Sequence, residues 1–220
     1  MPLEEPGIRL FPTEPVKKAM AVTAGLSMVA NATNVLPTQP SFQPVKLDVP
    51  RFLQEGPEWC WAACIAMVRA FYQAPLDQCI IVKNQFPTAN PCNETIDQRT
   101  EGCNPREIKS AWEVNGFNPV KPSSGPLLPR MEDIKSDLKA GTPLQAGIAY
   151  FGGNGSGHVV IIEGWSDTVP ESLHINDSLK QSLFYPEVSG GQGLVTLDEL
   201  RGASGFGIWA YAWRNLSLAT

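Results

Sequence analysis

The chain has 220 residues, a net charge of −5 and 43% hydrophobic residues with six tryptophans, enough for one large domain and too much for wholesale disorder. An acidic pI of about 5.1, with no block of Lys or Arg, excludes a nucleic-acid partner bound through phosphate neutralisation. No run reaches transmembrane length, so no membrane partner is expected.

Residues 1–45 are rich in proline and lack a core pattern, and are expected to be a leader or pro-segment. Within them "VKKAMAVTAGLSMVANA" resembles a signal peptide, with two lysines, an apolar run and Ala30-Asn31-Ala32 as a small-residue cleavage site. Export is the expectation, with a cytoplasmic protein as the alternative. Residues 16–31 could form a short helix, and "NVLPTQPSFQP" reads as an extended connector. The domain proper is expected over 46–220.

From Cys60, the residues Ala63, Cys64, Met67, Val68 and Phe71 recur at helical spacing, which predicts a helix over 60–72 with one apolar face. Pro57 and Glu58 just ahead fit its start. "PLDQCIIVKNQF" predicts a second, shorter helix. In "NPREIKSAWEVNG", Asn104 is the N-cap, Pro105 fits the first position, Glu107 closes a capping box and Gly116 ends the helix. "MEDIKSDLKAG" repeats this logic, with Met131, Ile134 and Leu138 on one face and Gly141 as the stop.

After Gly141 the segments "PLQAGIAY", "HVVIIEGW", "SLHIND", "GLVTL" and "GIWAYAW" are short, β-branched or aromatic, and parted by turns. Helices first and strands later predict an α+β fold.

Five cysteines suit two bridges and one free thiol. Cys92 and Cys103 flank a polar loop and are the first candidate pair; Cys64 and Cys79 are the second. With two histidines and no close Cys-x-x-Cys, no metal is expected.

A thiol is a strong nucleophile as the thiolate, and the positive end of a helix macrodipole favours that charge. Cys60 lies in the first turn of its predicted helix. An imidazole would favour the charge further, and His158 and His174 are the candidates. His158 opens a strand after "GGNGSG". That loop leads into a strand, not the helix a phosphate loop needs, so its glycines are better read as room for a substrate backbone. Gly157 leaves the imidazole approachable. Alternation puts His158, Val160 and Ile162 on one face and Val159, Ile161 and Glu163 on the other.

An imidazole serving a thiolate needs a third group to fix its orientation. "SLHIND" ends eighteen or nineteen residues after His158, and an antiparallel pairing would return Asn176-Asp177 to its side. Asp177 is preferred, with Asn176 as second choice. His174 is ranked as structural.

Gln54-x5-Cys60-Trp61, then Gly157-His158 opening an apolar strand, then Asn176-Asp177 at a strand end: this order resembles the papain-like cysteine proteases. It is most similar to the small bacterial branch that includes staphopains and plant-pathogen proteases. The likeness spans roughly residues 50–214. It implies a nucleophile-bearing helical subdomain, an antiparallel β subdomain and a cleft between them. It also implies that Gln54 donates its amide to an oxyanion hole together with the Cys60 backbone N–H, an effect worth about two to three orders of magnitude in rate. Gly157 and Trp61 would border the substrate. The implied activity is peptide-bond hydrolysis by a monomer on a protein or peptide, with no cofactor. The alternatives are a peptidyl transferase of the phytochelatin-synthase type and an inactive binding module. Papain's own third member is asparagine followed by Ser-Trp-Gly, whereas "NDSL" stands here, which suits the aspartate of the small bacterial relatives.

Overall fold

The structure, a computed structural model, describes residues 43–151, 156–168, 170–180, 192–203, 205 and 207–220. The signal-like run, the 16–31 helix and most of the glycine loop lie outside the described residues. The remainder belongs to the compact unit Ser41–Thr220.

Four α-helices follow the predicted segments: α1 (Cys60–Phe71), α2 (Gln78–Gln85), α3 (Pro105–Val114) and α4 (Met131–Lys139). In α3, Asn104 accepts from the backbone N–H groups of Arg106 and Glu107, and the Glu107 carboxylate accepts from Asn104 N–H. Gly116 and Gly141, just past α3 and α4, have φ of +87° and +75°, values that glycine adopts without strain.

α1 departs from its expected single apolar face. Trp61 to Val68 are all buried, because α2 packs on one side of the helix and the sheet on another. A fully buried Val, Ile or Met side chain contributes about 1.5–3 kcal/mol, so eight successive buried positions fix this helix firmly. Whatever α1 carries at its tip is held in place.

The strands are β1 (Val45–Lys46), β2 (Lys121–Ser124), β3 (Leu144–Tyr150), β4 (Gly157–Ser166), β5 (Ser172–Asn176), β6 (Gln192–Thr196) and β7 (Gly207–Arg214). They form one antiparallel sheet in the order β2-β7-β3-β4-β5-β6. β1 pairs with Gly164 and Trp165 of β4, on the edge that β3 leaves beyond Ile162. Sequence reasoning missed β1 and β2. β1 has two residues, and β2 carries Pro122, tolerated because this strand is at the sheet edge.

The alternation expected along β4 is present. Val159 and Ile161 join the core built by α1, α2 and α3, while Val160 and Ile162 join a second core with Ile134 and Leu138 of α4. The chain is therefore α+β, with a helical subdomain, an antiparallel β subdomain and a cleft where they meet. No described helix is long and apolar enough to cross a membrane.

The disulfide prediction needs correcting. Cys79 of α2 is bonded to Cys92, and neither Cys92–Cys103 nor Cys64–Cys79 forms. Cys64 is held away from Cys79 inside the core, where its thiol donates to the Val159 carbonyl at 3.6 Å. Cys103 instead lines the cleft beside Asn104 and Pro105.

Candidate active site

Cys60 opens α1, and its helix end is not capped: Trp59 stands at the N-cap position without a side-chain hydrogen bond. First-turn N–H groups have no partner within a helix, so this end presents donors where Asn104 covers those of α3. Trp59 and Trp61 fix the tip from both sides. Trp59 Nε1 donates to the Glu101 carboxylate at 3.2 Å, Trp61 Nε1 to the Glu101 carbonyl at 3.0 Å, and the Arg99 guanidinium lies 5.0 Å from the Trp59 ring centre.

His158 is the second residue of β4 and is buried. Its Nε2 lies 2.7 Å from Asp177 Oδ1, and the ring lines the cleft together with Cys60, which raises its proton affinity. The β4–β5 pairing, with Ile161 opposite Asn176, returns the chain so that Asp177 reaches the imidazole. Burial pushes the proton affinity of His158 down, but Asp177 and Cys60 outweigh it and hold the pKa up at about 10.

Asn176 and Asp177 differ in their contacts: Asp177 faces the imidazole. Asn176 is engaged elsewhere, its Nδ2 donating to the Val49 carbonyl and to Glu163 Oε2, both at 3.0 Å. His174 lies mid-strand in β5 and is not among the residues lining the cleft. Burial and Lys46 lower its pKa.

The cleft has a volume of about 520 Å³. Glu58, Cys60 and residues 102–105 form its helical wall; Gly147 to Tyr150, Gly157, His158 and Trp213 form its sheet wall. Cys103 shares this cleft, but burial, then Glu107 and Cys60, raise its pKa and keep its thiol protonated. Burial does the same to Cys64. Of the three free thiols, Cys60 alone has an imidazole partner. Tyr150 has a pKa raised to about 12, by burial first and then by Cys60, Asp177 and Glu58, so its hydroxyl remains a donor.

The two flanking residues differ in what they offer. Gly157 is exposed at the cleft, and a Cβ there would lie 2.4 Å from the Ile148 carbonyl oxygen, so the β3–β4 pairing requires glycine. Trp61 lines the cleft but is 1% exposed, and its ring packs edge-on to Phe86, so it is a floor and not a contact surface.

Gln54 is placed ahead of α1 with its amide engaged. Nε2 donates to the carbonyls of Gly56 and Pro57 at 2.9 and 2.8 Å, and Ser178 Oγ donates to its Oε1 at 3.3 Å. The side chain thus braces the loop before Cys60 and ties it to the residue after Asp177. Glu101, Trp59, Ser178 and Arg51 escaped the sequence reading, since their partners lie far away along the chain.

The family model of the papain-like cysteine protease AvrRpt2 matches residues 44–184, which includes Gln54, Cys60, His158 and Asp177. The chain belongs to this family. It is a papain-like cysteine protease, and the fold and the order of the site residues agree with that. No curated protein matches this protease. Among solved structures, the double-glycine-motif protease of an AMS/PCAT transporter, in complex with the leader peptide, is 16% identical. That match covers 79% of this chain and 98% of the other, with a TM-score of 0.45. Xylellain, a cysteine protease from Xylella fastidiosa, is 13% identical over 80% of this chain and 86% of its own, with a TM-score of 0.45. Interpain A of Prevotella intermedia is 17% identical over 54% and 47%, with a TM-score of 0.40.

Proposed function

We propose that Cys60, His158 and Asp177 are the catalytic triad of this endopeptidase, with Cys60 as nucleophile. The observation that carries the reading is the His158–Asp177 contact of 2.7 Å on a ring that shares one cleft with the Cys60 thiol. His158 Nδ1 takes the thiol proton, Asp177 steadies the resulting imidazolium through Nε2, and the thiolate attacks a peptide carbonyl carbon. The carbonyl π pair moves to oxygen, giving a tetrahedral oxyanion. That charge collapses as His158 protonates the leaving amine, and the C–N bond breaks to leave a thioester on Cys60. Water, deprotonated by His158, then cleaves the thioester and restores the thiol.

The oxyanion is proposed to rest on the Cys60 backbone N–H at the uncapped end of α1, with Gln54 as a second donor. For Gln54 to serve, one of its amide hydrogens has to leave the Gly56 or Pro57 carbonyl for the oxyanion. Gly157, without a side chain, lets a substrate chain approach the imidazole. Cleavage of a peptide library by the wild type and by Cys60→Ala tests the reading. The wild type should cleave and the variant should not; equal cleavage by both would refute it.

We also infer that the protease works as a monomer in an oxidising compartment outside the cytoplasm. The Cys79–Cys92 bridge supports the compartment, because such bonds persist where thiol reductants are scarce. Thiol titration of the unfolded protein, recovered without reductant, should find three free thiols; five would contradict the inference.

A further inference from the structure

β5 ends at Asn176, and the next residues have left the sheet. Residues 49–54, the strap that leads towards α1, hold them instead, one after another. Asn176 donates to the Val49 carbonyl at 3.0 Å, Arg51 Nε donates to the Asp177 carbonyl at 2.9 Å, and Gln54 N–H donates to the Ser178 carbonyl at 3.0 Å. The Arg51 Nη2 donates to the Leu179 carbonyl. Leu179 N–H then turns back to Asp177 Oδ1 at 3.0 Å, the same oxygen that faces His158.

We propose that Arg51 is a positioning residue of the triad, clamping the backbone at Asp177 and two residues beyond it so that its carboxylate meets His158. This rests on the reading of Asp177 as the third triad member. A planar guanidinium presents its donors as a rigid fork that can span two carbonyls, whereas a lysine ammonium is a single flexible point of charge. The clamp's hydrogen bonds go to backbone oxygens, so it sets where the carboxylate stands. Its reach explains why no local motif betrays it: Arg51 lies 126 residues from Asp177 in sequence.

The test is the pH dependence of kcat and kcat/KM for Arg51→Ala and Arg51→Lys, each made in the wild type and in Asp177→Ala. Among the described residues, the titratable groups that share the cleft with His158 are Glu58 and Cys60 on the α1 side, Cys103 and Glu107 at the start of α3, Tyr150 of β3 and Tyr211 of β7, with Asp177 after β5; none of them is altered by the Arg51 variants. Displacing a catalytic group by about 1 Å costs up to about 100-fold, so Arg51→Ala should lower kcat by about 10- to 100-fold with KM little changed. Its alkaline limb should move towards neutral pH, and Arg51→Lys should recover only part of both effects. In Asp177→Ala, neither change should cost more than about twofold further, because the group being positioned is gone. Wild-type kcat and alkaline limb in both Arg51 variants would overturn the proposal. So would an equal loss with and without Asp177. If Arg51→Ala does not fold, the same comparison with Arg51→Lys decides. Full kcat in Asp177→Ala itself would instead reject the triad reading, a result separate from the fate of the clamp.

Discussion

His158 and Asp177, nineteen residues apart, meet at 2.7 Å because β4 and β5 are antiparallel and Asp177 stands just past the end of β5. Burial acts to lower the proton affinity of the imidazole, but this contact together with Cys60 raises it above its ordinary value of 6.5, to about 10. Two pH effects follow. Activity that needs the imidazolium should fall on the alkaline side near pH 10. Asp177→Ala should move that limb towards neutral and lower kcat about 100-fold or more. Asp177→Asn keeps an acceptor oxygen and should lose less. For stability, the folded state binds this proton more tightly than the unfolded state. Its contribution is therefore full below about pH 6.5 and is lost as pH rises through about 10. Melting temperatures of the wild type and Asp177→Ala, measured across that range, should converge at the alkaline end.

Gly157 is a second point of strict geometry. A methyl group there would meet the Ile148 carbonyl at 2.4 Å, so Gly157→Ala must part β3 from β4 at the residue that precedes His158. Both the melting temperature and kcat should fall. An unchanged kcat would mean that the strand end can move without disturbing the imidazole.

Much of this site was legible because its chemistry sits on strong local signals. An apolar helical period places Cys60 at a helix start, and a β-branched run after glycine places His158 at a strand start. The antiparallel return to Asp177 follows from two adjacent strands and a short connection. What sequence could not supply are the groups joined across long separations. Arg51 and Trp59 look like ordinary surface and core residues until the chain brings Asp177 and Glu101 to them. The bridge escaped for a related reason. Cys64 shares the helical period of the core, and only the packing of α1 against β4 shows that its thiol faces Val159 and not Cys79.

Trp61 tests the distinction between a cleft floor and a contact surface. Trp61→Phe keeps an aromatic ring but leaves the Glu101 carbonyl without its donor, which should cost about 1–3 kcal/mol. The denaturation midpoint should fall, while KM at a temperature where the variant is folded should change little. A large rise in KM with unchanged stability would make Trp61 a substrate contact.

The disulfide offers a contrasting result. It closes a loop with a sequence separation of 13, so replacing both Cys79 and Cys92 by serine should lower stability by about 3 kcal/mol. The bonded pair is not among the residues lining the cleft, so kcat of the folded variant should be close to that of the wild type. Denaturant unfolding and steady-state kinetics on one preparation check both halves.

The central claim is that Cys60, of three free thiols, is the activated nucleophile. Mass spectrometry after exposure to an epoxide thiol inhibitor tests it most directly, with His158→Ala as the control. The account predicts one adduct, on Cys60, formed rapidly in the wild type and far more slowly in the control. A folded wild type that takes up no inhibitor, or takes it on Cys103 instead, would contradict it.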